Sequence, residues 1–292
     1  MCGIAGSYAY RPSAEGVDRG ELAKISDHMI ARGPDGSGVW FSDGGRAGLA
    51  HRRLSIIDLS ERGAQPMASA DGKLIITFNG EIYNYRALRA ALERDGHVFR
   101  SASDTEVLLH LYAAKGARMV EDLRGMFAFA LWDASKSGVL LARDPYGIKP
   151  LYYSDENGAL RFASQVKALL AGGRVSTEPD AAGWVGFHLF GSVPEPFTTY
   201  RAIRALPAGS TLWADANGVQ EPLPFFSVAE SYCEAESEPL DFSASELQDY
   251  FRAALTDSVR HHMVADVPVG IFLSAGIDSG SLLGLMRDVA LA

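Results

Sequence analysis

Cysteine is scarce in this chain of 292 residues, which contains only Cys2 and Cys233. Two cysteines are too few for a disulfide framework or for a cysteine-rich zinc site. The seven histidines do not stand in metal-ligand spacing with other ligand residues. The sequence therefore predicts no metal site built from its own histidines and cysteines.

Long apolar runs are also lacking, since no stretch approaches the ~20 residues that span a bilayer. The first residues do not combine a basic segment with a long apolar one, as a secretory signal would. A hydrophobic content of 47% is nevertheless enough for packed cores, and the length suits two domains. We expect a cytoplasmic protein without a membrane partner.

Lysine and arginine are absent from Asp215 to Phe251, where nine acidic residues account for a charge equal to the formal net charge of −9. This balance argues against a nucleic-acid partner. Prolines also interrupt the segment, and such composition is typical of a solvated connector. We therefore predict a first domain over residues 2–214, an acidic linker over 215–242 and a second domain over 243–292. Cys233 lies in the linker and is interpreted as an unremarkable thiol.

The amino terminus carries the residue with the clearest chemical potential. If Met1 is removed, Cys2 holds a thiol and a free α-amine on one carbon skeleton. An α-amine titrates near ~7.7–8.0 and a free thiol near ~8.5, so the amine can accept the thiol proton. Cys2 is therefore a candidate nucleophile with its own base.

In the first domain the apolar patterns alternate between strands and helices. Glu21–Ile30 and Tyr85–Arg94 have helical spacing, and Ser103 with Glu106 fits a capping box that opens another helix. Asn79-Gly80-Glu81 is interpreted as a turn that follows a strand. The predicted strands are residues 2–10, 48–58, 73–78, 126–132, 138–143, 151–154 and 160–163. This order suggests two sheets flanked by helices.

The second domain has a different pattern. A capping box of Ser243 and Glu246 leads an amphipathic helix, and Val267–Leu273 is predicted to be a strand buried in a parallel sheet. The small-residue loop Ser274–Ser279 and a helix over Ser281–Val289 follow. A strand, loop and helix in this order present backbone N–H groups to phosphate, although the loop lacks the Lys-Ser/Thr ending of a Walker motif.

Eight ordered motifs carry a resemblance to one family. They are residues 1–4 (MCGI), 32–36 (RGPDG), 51–58 (HRRLSIID), 79–84 (NGEIYN), 103–106 (SDTE), 125–130 (GMFAFA), 143–153 (RDPYGIKPLYY) and 272–279 (FLSAGIDS). The chain resembles the glutamine-hydrolysing asparagine synthetases. The resemblance implies an α+β chain, with an N-terminal-nucleophile αββα sandwich as the glutaminase domain. The start of an α/β domain of the ATP pyrophosphatase type would follow.

The resemblance also implies roles for individual residues. Cys2 would attack the side-chain amide of glutamine, while Asn79 and Gly80 would form the oxyanion hole. The remaining glutamine-binding residues would be Arg53 for the α-carboxylate, Glu81 and Asp104 for the α-ammonium, and the backbone of Ile56 and Ile57. Taken alone, Arg53 could be a surface ion pair, Asn79-Gly80 a turn and Asp104 a first-turn helix residue. Asp144 and Lys149 are interpreted as stabilising a turn and are left out of the site.

For the second domain, the resemblance implies an ATP site at Leu273, Ser274, Ala275, Gly276, Ile277, Asp278 and Ser279, with Asp278 helping to place Mg²⁺. The family pattern has glycine where this chain has Ala275, which would matter if that position needed positive φ. The chain stops at Ala292, whereas the family's synthetase domain continues much further. We therefore expect these residues to hydrolyse glutamine but not to make asparagine from ATP and aspartate alone.

Three interpretations of function remain open from the sequence. The first is a glutamine-dependent asparagine synthetase, or a relative that amidates another carboxylate, and a homodimer is possible. The second is another amidotransferase with the same kind of nucleophile, of the phosphoribosyl or hexosamine type. The third is a non-catalytic remnant, against which the intact glutaminase motifs argue.

Overall fold

The computed structural model of the chain describes residues 2–291. Met1, whose removal would give Cys2 its free α-amine, lies outside these residues. The chain divides into two compact units, Met1–Val228 and Ala229–Ala292.

The first unit is built from short strands and helices. Its strands, in chain order, are β1 (Gly3–Ala9), β2 (Gly36–Phe41), β3 (Ala47–Arg53), β4 (Met67–Ala68), β5 (Leu74–Ile82), β6 (Gly125–Asp133), β7 (Gly138–Arg143), β8 (Tyr152–Glu156), β9 (Ala159–Ala163), β10 (Arg204–Ala205), β11 (Ser210–Asp215), β12 (Gly218–Val219) and β13 (Leu223–Pro224). Its helices are α1 (Arg19–Asp27), α2 (Tyr85–Arg94), α3 (Asp104–Lys115), α4 (Val166–Gly172) and α5 (Ala181–Phe190). Single 3₁₀ turns lie at Ile30–Arg32 and Glu61–Gly63, and a longer one at Gly116–Asp122.

Two antiparallel sheets form the centre of this unit. The first has the strand order β10-β8-β9-β1-β3-β2, and the second has β12-β11-β7-β6-β5-β4 with β13 paired to β11. In the first sheet β1 lies between β3 and β9, with Ile4 opposite His51. In the second sheet β5 pairs with β6 along its whole length, and Gly80 lies opposite Phe127.

The side chains of β1 alternate between two cores. Ile4 belongs to a buried cluster with Leu49 on β3 and Leu141 on β7, which fills the space between the sheets. Ala5 belongs to a second cluster, with Leu22 on α1 and Leu169 on α4. On the far side, α3 packs against β5 and α2 packs against α3. The layers are therefore helix, sheet, sheet and helix, and the predicted αββα sandwich is confirmed.

The predicted strand over residues 48–58 is wrong in its second half, because β3 ends at Arg53. The chain then leaves the sheet, and Asp58 adopts a left-handed conformation with φ 51°. The Arg53 guanidinium donates to the carbonyls of Asp58 and Ser60, which holds this loop beside the end of the strand. The apolar residues beyond Arg53 line a cleft instead of packing within the sheet.

The interpretation of Asn79-Gly80-Glu81 as a turn is also wrong, because all three residues belong to β5. A Cβ atom built on Gly80 would overlap the carbonyl oxygen of Met126 on β6. Glycine is needed here because the two backbones approach closely, and not because a turn requires positive φ.

The capping box predicted at Ser103 is half correct. Ser103 is the N-cap of α3 and accepts from the N–H of Thr105 at 3.2 Å. Glu106 does not complete the box, since its carboxylate accepts from the N–H of Arg100 and from the N–H and hydroxyl of Ser101. Glu106 therefore ties the preceding loop to the helix.

The acidic segment is partly structured. Its first residues form β12 and β13, which pair with β11, and a helix, α6 (Val228–Ser237), follows. The division between the compact units falls after Val228. The linker bounds 215–242 and the domain bounds on either side stay a prediction.

The second unit is mainly helical over the residues that the structure describes. Its two long helices, α7 (Ala244–His262) and α8 (Ile277–Leu291), pack against each other. The capping box of Ser243 and Glu246 at the start of α7 is confirmed. Along residues 2–291, no helix has the length and apolar content needed to cross a membrane.

The predicted strand at Val267–Leu273 is wrong, because these residues have no regular secondary structure. A parallel strand requires a neighbour to bond its backbone, and residues 229–291 contain no strand that could serve. The side chain of Phe272 is accordingly fully exposed. The predicted helix begins at Ile277, four residues earlier than expected.

Candidate active site

Cys2 lies immediately before β1, at the edge of the cleft where the loop after β3 begins. The N–H of Leu54 donates to Cys2 Sγ at 3.3 Å. The Cys2 thiol in turn donates to the carbonyl oxygen of Leu54, with the sulfur and the oxygen 3.5 Å apart. The carbonyl of Cys2 accepts from Nε of Arg32 at 2.9 Å. The backbone and the sulfur of Cys2 are thus held from two sides.

One cleft brings together all the residues that the resemblance assigned to glutamine. Its lining includes Cys2, Arg53, Ile56, Ile57, Asn79, Gly80, Glu81 and Asp104. The structure therefore gathers side chains from β3, β5, α3 and the loop after β3 around the cysteine. Their individual roles stay predictions.

Asn79 is the polar residue of the cleft whose environment is most unusual. Its side-chain amide nitrogen is buried and has no hydrogen-bond partner among the described residues. A buried amide without a partner costs free energy, about 1–3 kcal/mol, unless a ligand satisfies it. The amide is therefore available to an oxygen that enters the cleft.

His51 supports this strand from the opposite sheet. Burial lowers the pKa of His51 to about 4, so the imidazole is neutral at pH 7. Its Nε2 lies 3.1 Å from the carbonyl oxygen of Phe78, the residue before Asn79. Since a carbonyl only accepts, the neutral ring donates from Nε2 and links β3 to β5 beneath the cleft.

The cleft has two carboxylates, those of Asp104 and Glu81. Asp104 is 4% exposed and accepts from the N–H of Ile82 at 3.0 Å. Burial, together with the nearby charge of Glu81, raises the pKa of Asp104 to about 7. A cation bound between the two carboxylates would remove this repulsion, which suits an ammonium group.

Arg53 supplies positive charge to the lining of the same cleft. Its guanidinium is held by the carbonyls of Asp58 and Ser60, of which the second accepts from Nη1 at 2.9 Å. Arginine has five N–H donors in a planar fork, so donors remain beyond these two bonds. The lining of the cleft therefore combines the arginine with the two acidic side chains of Glu81 and Asp104.

Sequence reasoning missed several residues of the cleft. They are Leu54, Gly63, Gln65, Phe78, Ser103, Thr105 and Lys149. Gln65 connects two walls, since its side chain accepts from the N–H of Phe78 at 2.6 Å and donates to Thr105 Oγ1 at 3.2 Å. Lys149 stands in the motif 143–153, so motif membership was the signal that could have found it.

The loop Ser274–Ser279 of the second unit leads into the N-terminus of α8. Its hydroxyls are interlinked, with Ser274 Oγ and Ser279 Oγ 2.9 Å apart and the N–H of Gly276 donating to Ser274 Oγ at 3.2 Å. Among residues 2–291, the non-glycine residues with positive φ are Asp58, Ser137 and Asn157. Ala275 is not one of them, so the alanine causes no backbone strain of the kind considered from the sequence.

The families that match this chain correspond to its two compact units. The glutamine amidotransferase domain family matches residues 1–233. The chain belongs to this family. A second family, asparagine synthase, matches residues 250–291, which include the loop Ser274–Ser279.

Curated relatives resemble the chain over nearly all its length. Asparagine synthetase [glutamine-hydrolyzing] 1 of Bacillus subtilis is 39% identical over 289 residues, covering 99% of this chain and 44% of that protein. Asparagine synthetase B [glutamine-hydrolyzing] of Escherichia coli is 37% identical, covering 99% of this chain and 45% of that protein. The chain thus spans less than half the length of these two relatives.

Among solved structures, the glutamine phosphoribosylpyrophosphate amidotransferase of B. subtilis, in complex with ADP and GMP, has a TM-score of 0.59. It is 21% identical and covers 78% of this chain and 50% of its own. This likeness shows the fold alone, and it agrees with the αββα sandwich of the glutamine amidotransferase family. In the described residues, no group of three or more His, Cys, Asp or Glu side chains is placed to hold a metal ion.

Proposed function

We propose that the cleft hydrolyses the side-chain amide of glutamine to glutamate and ammonia. The observation that carries this proposal is the placement of the Cys2 thiol in one cleft with the unpartnered amide of Asn79. A nucleophile beside a donor that lacks an acceptor is the arrangement that amide hydrolysis needs.

In the first step, Cys2 Sγ attacks the amide carbon of glutamine, and a C–S bond forms. The carbonyl oxygen becomes an oxyanion, which accepts from the Asn79 amide and from the N–H of Gly80. Donors that are already in place for the developing charge are worth more than donors that must reorganise. The C–N bond then breaks, and the leaving nitrogen takes the proton that came from the thiol and departs as ammonia. Water hydrolyses the thioester to glutamate and restores the Cys2 thiol.

The proton of the thiol needs a base, and the α-amine of Cys2 is suited to this once Met1 is removed. Burial raises the pKa of the Cys2 thiol, whereas the bond from Leu54 and the charges of Lys149 and Arg53 lower it. A thiol in this environment depends on nearby groups for its ionisation.

The other end of the substrate matches the charges of the cleft. Arg53 would bind the α-carboxylate with its remaining donors, and Glu81 with Asp104 would bind the α-ammonium. Ile56 and Ile57 lie on the loop that Arg53 holds, so the same arginine would order the apolar wall of the pocket.

The test is glutamate release by the purified chain and by Cys2→Ala, with Cys233→Ser as the matched control because Cys233 is exposed. We expect Cys2→Ala to lose at least about a thousandfold in rate, as enzymes do on loss of the nucleophile. The control should retain the wild-type rate. Equal release by Cys2→Ala and wild type would refute the mechanism.

We further propose that the whole protein is a glutamine-dependent asparagine synthetase, which uses the released ammonia to amidate aspartate at the expense of ATP. The match of residues 250–291 to asparagine synthase supports this over the phosphoribosyl alternative, whose likeness is in fold only. ATP bound there would supply the activation of the carboxylate.

In this proposal the loop before α8 would hold the phosphates of ATP. The first turn of a helix has N–H groups without an intrahelical partner, and Gly276, just before α8, has no Cβ to block close approach. Ser274, Ala275, Gly276, Ile277 and Ser279 would hold phosphate, while the Leu273 backbone would contact the nucleoside. Asp278, in the first turn of α8, would help to place Mg²⁺. Asparagine formation by the full-length protein, with aspartate and other carboxylates compared as acceptors, tests this assignment.

A further inference from the structure

Lys149 is a buried cation in the cleft whose charge lowers the pKa of the Cys2 thiol, and the steps above give it no contact with glutamine. It is 5% exposed and shares the lining with Cys2, Gly80 and Glu81. Lysine is rarely buried unless its ammonium is paired, because removing the charge from water is costly. The position of Lys149 therefore requires negative charge in this part of the cleft.

The backbone around Lys149 is fixed by the turn that follows β7. Asp144 is fully buried, and its carboxylate accepts from the N–H of Lys149 and of Ile148, both at 2.9 Å. The carbonyl of Lys149 accepts from Nε of Arg143, also at 2.9 Å. Both backbone groups of Lys149 are thus bonded to neighbouring residues.

The same turn is tied to the strand of the predicted oxyanion hole. The carboxylate of Asp144 also accepts from the N–H of Phe127 at 3.2 Å, and Phe127 lies opposite Gly80 in the pairing of β5 with β6. The backbone of Lys149 is therefore held in a fixed position relative to Gly80.

Electrostatic coupling connects Lys149 with the nucleophile in both directions. Burial lowers the pKa of Lys149, while the charges of Glu81, of the Cys2 thiolate and of Asp144 act to raise it. In return, the charge of Lys149 acts to lower the pKa of the Cys2 thiol, which burial raises. The charged amino terminus also lowers the pKa of the thiol, with a larger effect than Lys149, and the remaining charged groups are Arg53 on the thiol and Arg32 on the lysine.

We propose that Lys149 is the buried counter-charge of the Cys2 thiolate and, through it, a positioning residue for the glutaminase step. The role of Lys149 in catalysis rests on the proposed function, whereas its pairing with the Cys2 thiolate does not. Burial of the sulfur disfavours the charged thiolate. The positive charge of the Lys149 ammonium offsets this effect and stabilises the thiolate before it attacks. The α-amine of Cys2 remains the proton acceptor.

The experiment follows the alkylation of Cys2 by iodoacetamide against pH, in a Cys233→Ser background that leaves one thiol. The reaction forms an S–C bond and releases iodide, and its rate reports the thiolate fraction without any glutamine turnover. We expect Lys149→Met to move the midpoint of the profile to higher pH and to slow alkylation at pH 7 about tenfold, as loss of one nearby charge implies. Lys149→Arg, which keeps the charge, should stay within about threefold of the parent.

The matched control is Lys73→Met, which removes a lysine whose side chain is 63% exposed. It should leave the profile unchanged. An unchanged or lowered midpoint in Lys149→Met would overturn the proposal. Should that variant lose its cooperative melting transition, Lys149→Gln is measured in its place.

A reciprocal measurement asks whether the Cys2 thiolate affects the pKa of Lys149. In an NMR titration of the Lys149 ammonium, Cys2→Ala should lower the midpoint, because the thiolate that stabilises the charge is gone. An identical midpoint in both proteins would contradict the pairing. Absence of glutamate release by the parent protein would instead refute the proposed function, whatever the alkylation profile shows.

Discussion

The two compact units of this chain differ in how they accommodate apolar segments of the sequence. In the first unit Phe127, Phe129 and Phe162 are completely buried between or within layers. In the second unit Phe272 is fully exposed, and its neighbour Leu273 is 59% exposed. The first unit has two sheets in which each long strand has a partner, whereas residues 229–291 have helices and an apolar stretch without a strand partner. A motif in the sequence therefore becomes a strand only where its backbone can be paired.

The largest effect that would sharpen this contrast is on stability. Phe129→Ala removes a completely buried ring and should lower the free energy of unfolding by about 3–5 kcal/mol. Phe272→Ala is the matched substitution at an exposed position and should change it by less than about 0.5 kcal/mol. Urea titrations followed by circular dichroism measure both. A cost of several kcal/mol for Phe272→Ala would show that this segment is packed, and the contrast would fail.

The next largest effect concerns the donor at the centre of the cleft. Asn79→Ala should lower kcat for glutamine hydrolysis by about 10²–10³, the usual cost of removing one oxyanion donor. KM should change little, because the developing charge exists only in the transition state. Steady-state glutamate release gives both constants. Asn84→Ala serves as a control, since Asn84 bonds the backbone near Asp122 and Arg124 outside the cleft. A rise in KM at constant kcat would assign Asn79 to substrate binding alone.

Much of the first unit could be predicted from its sequence, because local patterns and final structure agree there. The hairpin of β6 and β7 and the helix Tyr85–Arg94 follow from period and turn residues alone. Asn79-Gly80 could not, since the dipeptide favours a turn and only its pairing with β6 reveals why glycine is present. The packing of Lys149 against the cleft likewise depends on a turn anchored to Phe127, which is distant in sequence.

The residues of the site were predicted from ordered motifs, not from local physics. Arg53, considered alone, favours a surface ion pair, and Asp104 favours the first turn of a helix. Tertiary structure places them in one lining with Cys2. In the second unit the helices and the capping box were predictable because they depend on local contacts. The strand was not, because it depends on a partner.

A pH effect of intermediate size should separate substrate binding from chemistry. Asp104 has a pKa of about 7 in the free protein, so it gains a proton as the pH falls below 7. Glutamine binding needs the carboxylate, and its ammonium must then displace that proton. KM for glutamine should therefore rise towards tenfold for each pH unit below 7. In Asp104→Asn, KM should be high and lose this dependence, and a wild-type KM that is flat between pH 5.5 and 7 would contradict the assignment.

The smallest effect concerns the backbone conformation at Ala275 in the second unit, and the test is whether a glycine there lowers or raises stability. Ala275→Gly restores the glycine of the family pattern in the loop before α8. Because φ at Ala275 is not positive, glycine brings no relief of strain and only increases the freedom of the unfolded chain. We expect the α8 amides to lose about 0.4–1 kcal/mol of protection in native-state hydrogen exchange. Ala254→Gly, within α7, provides a helix-interior comparison with a loss of similar size. Increased protection in Ala275→Gly would mean that position 275 adopts positive φ. The loop conformation described here, in which φ at Ala275 is not positive, would then be wrong.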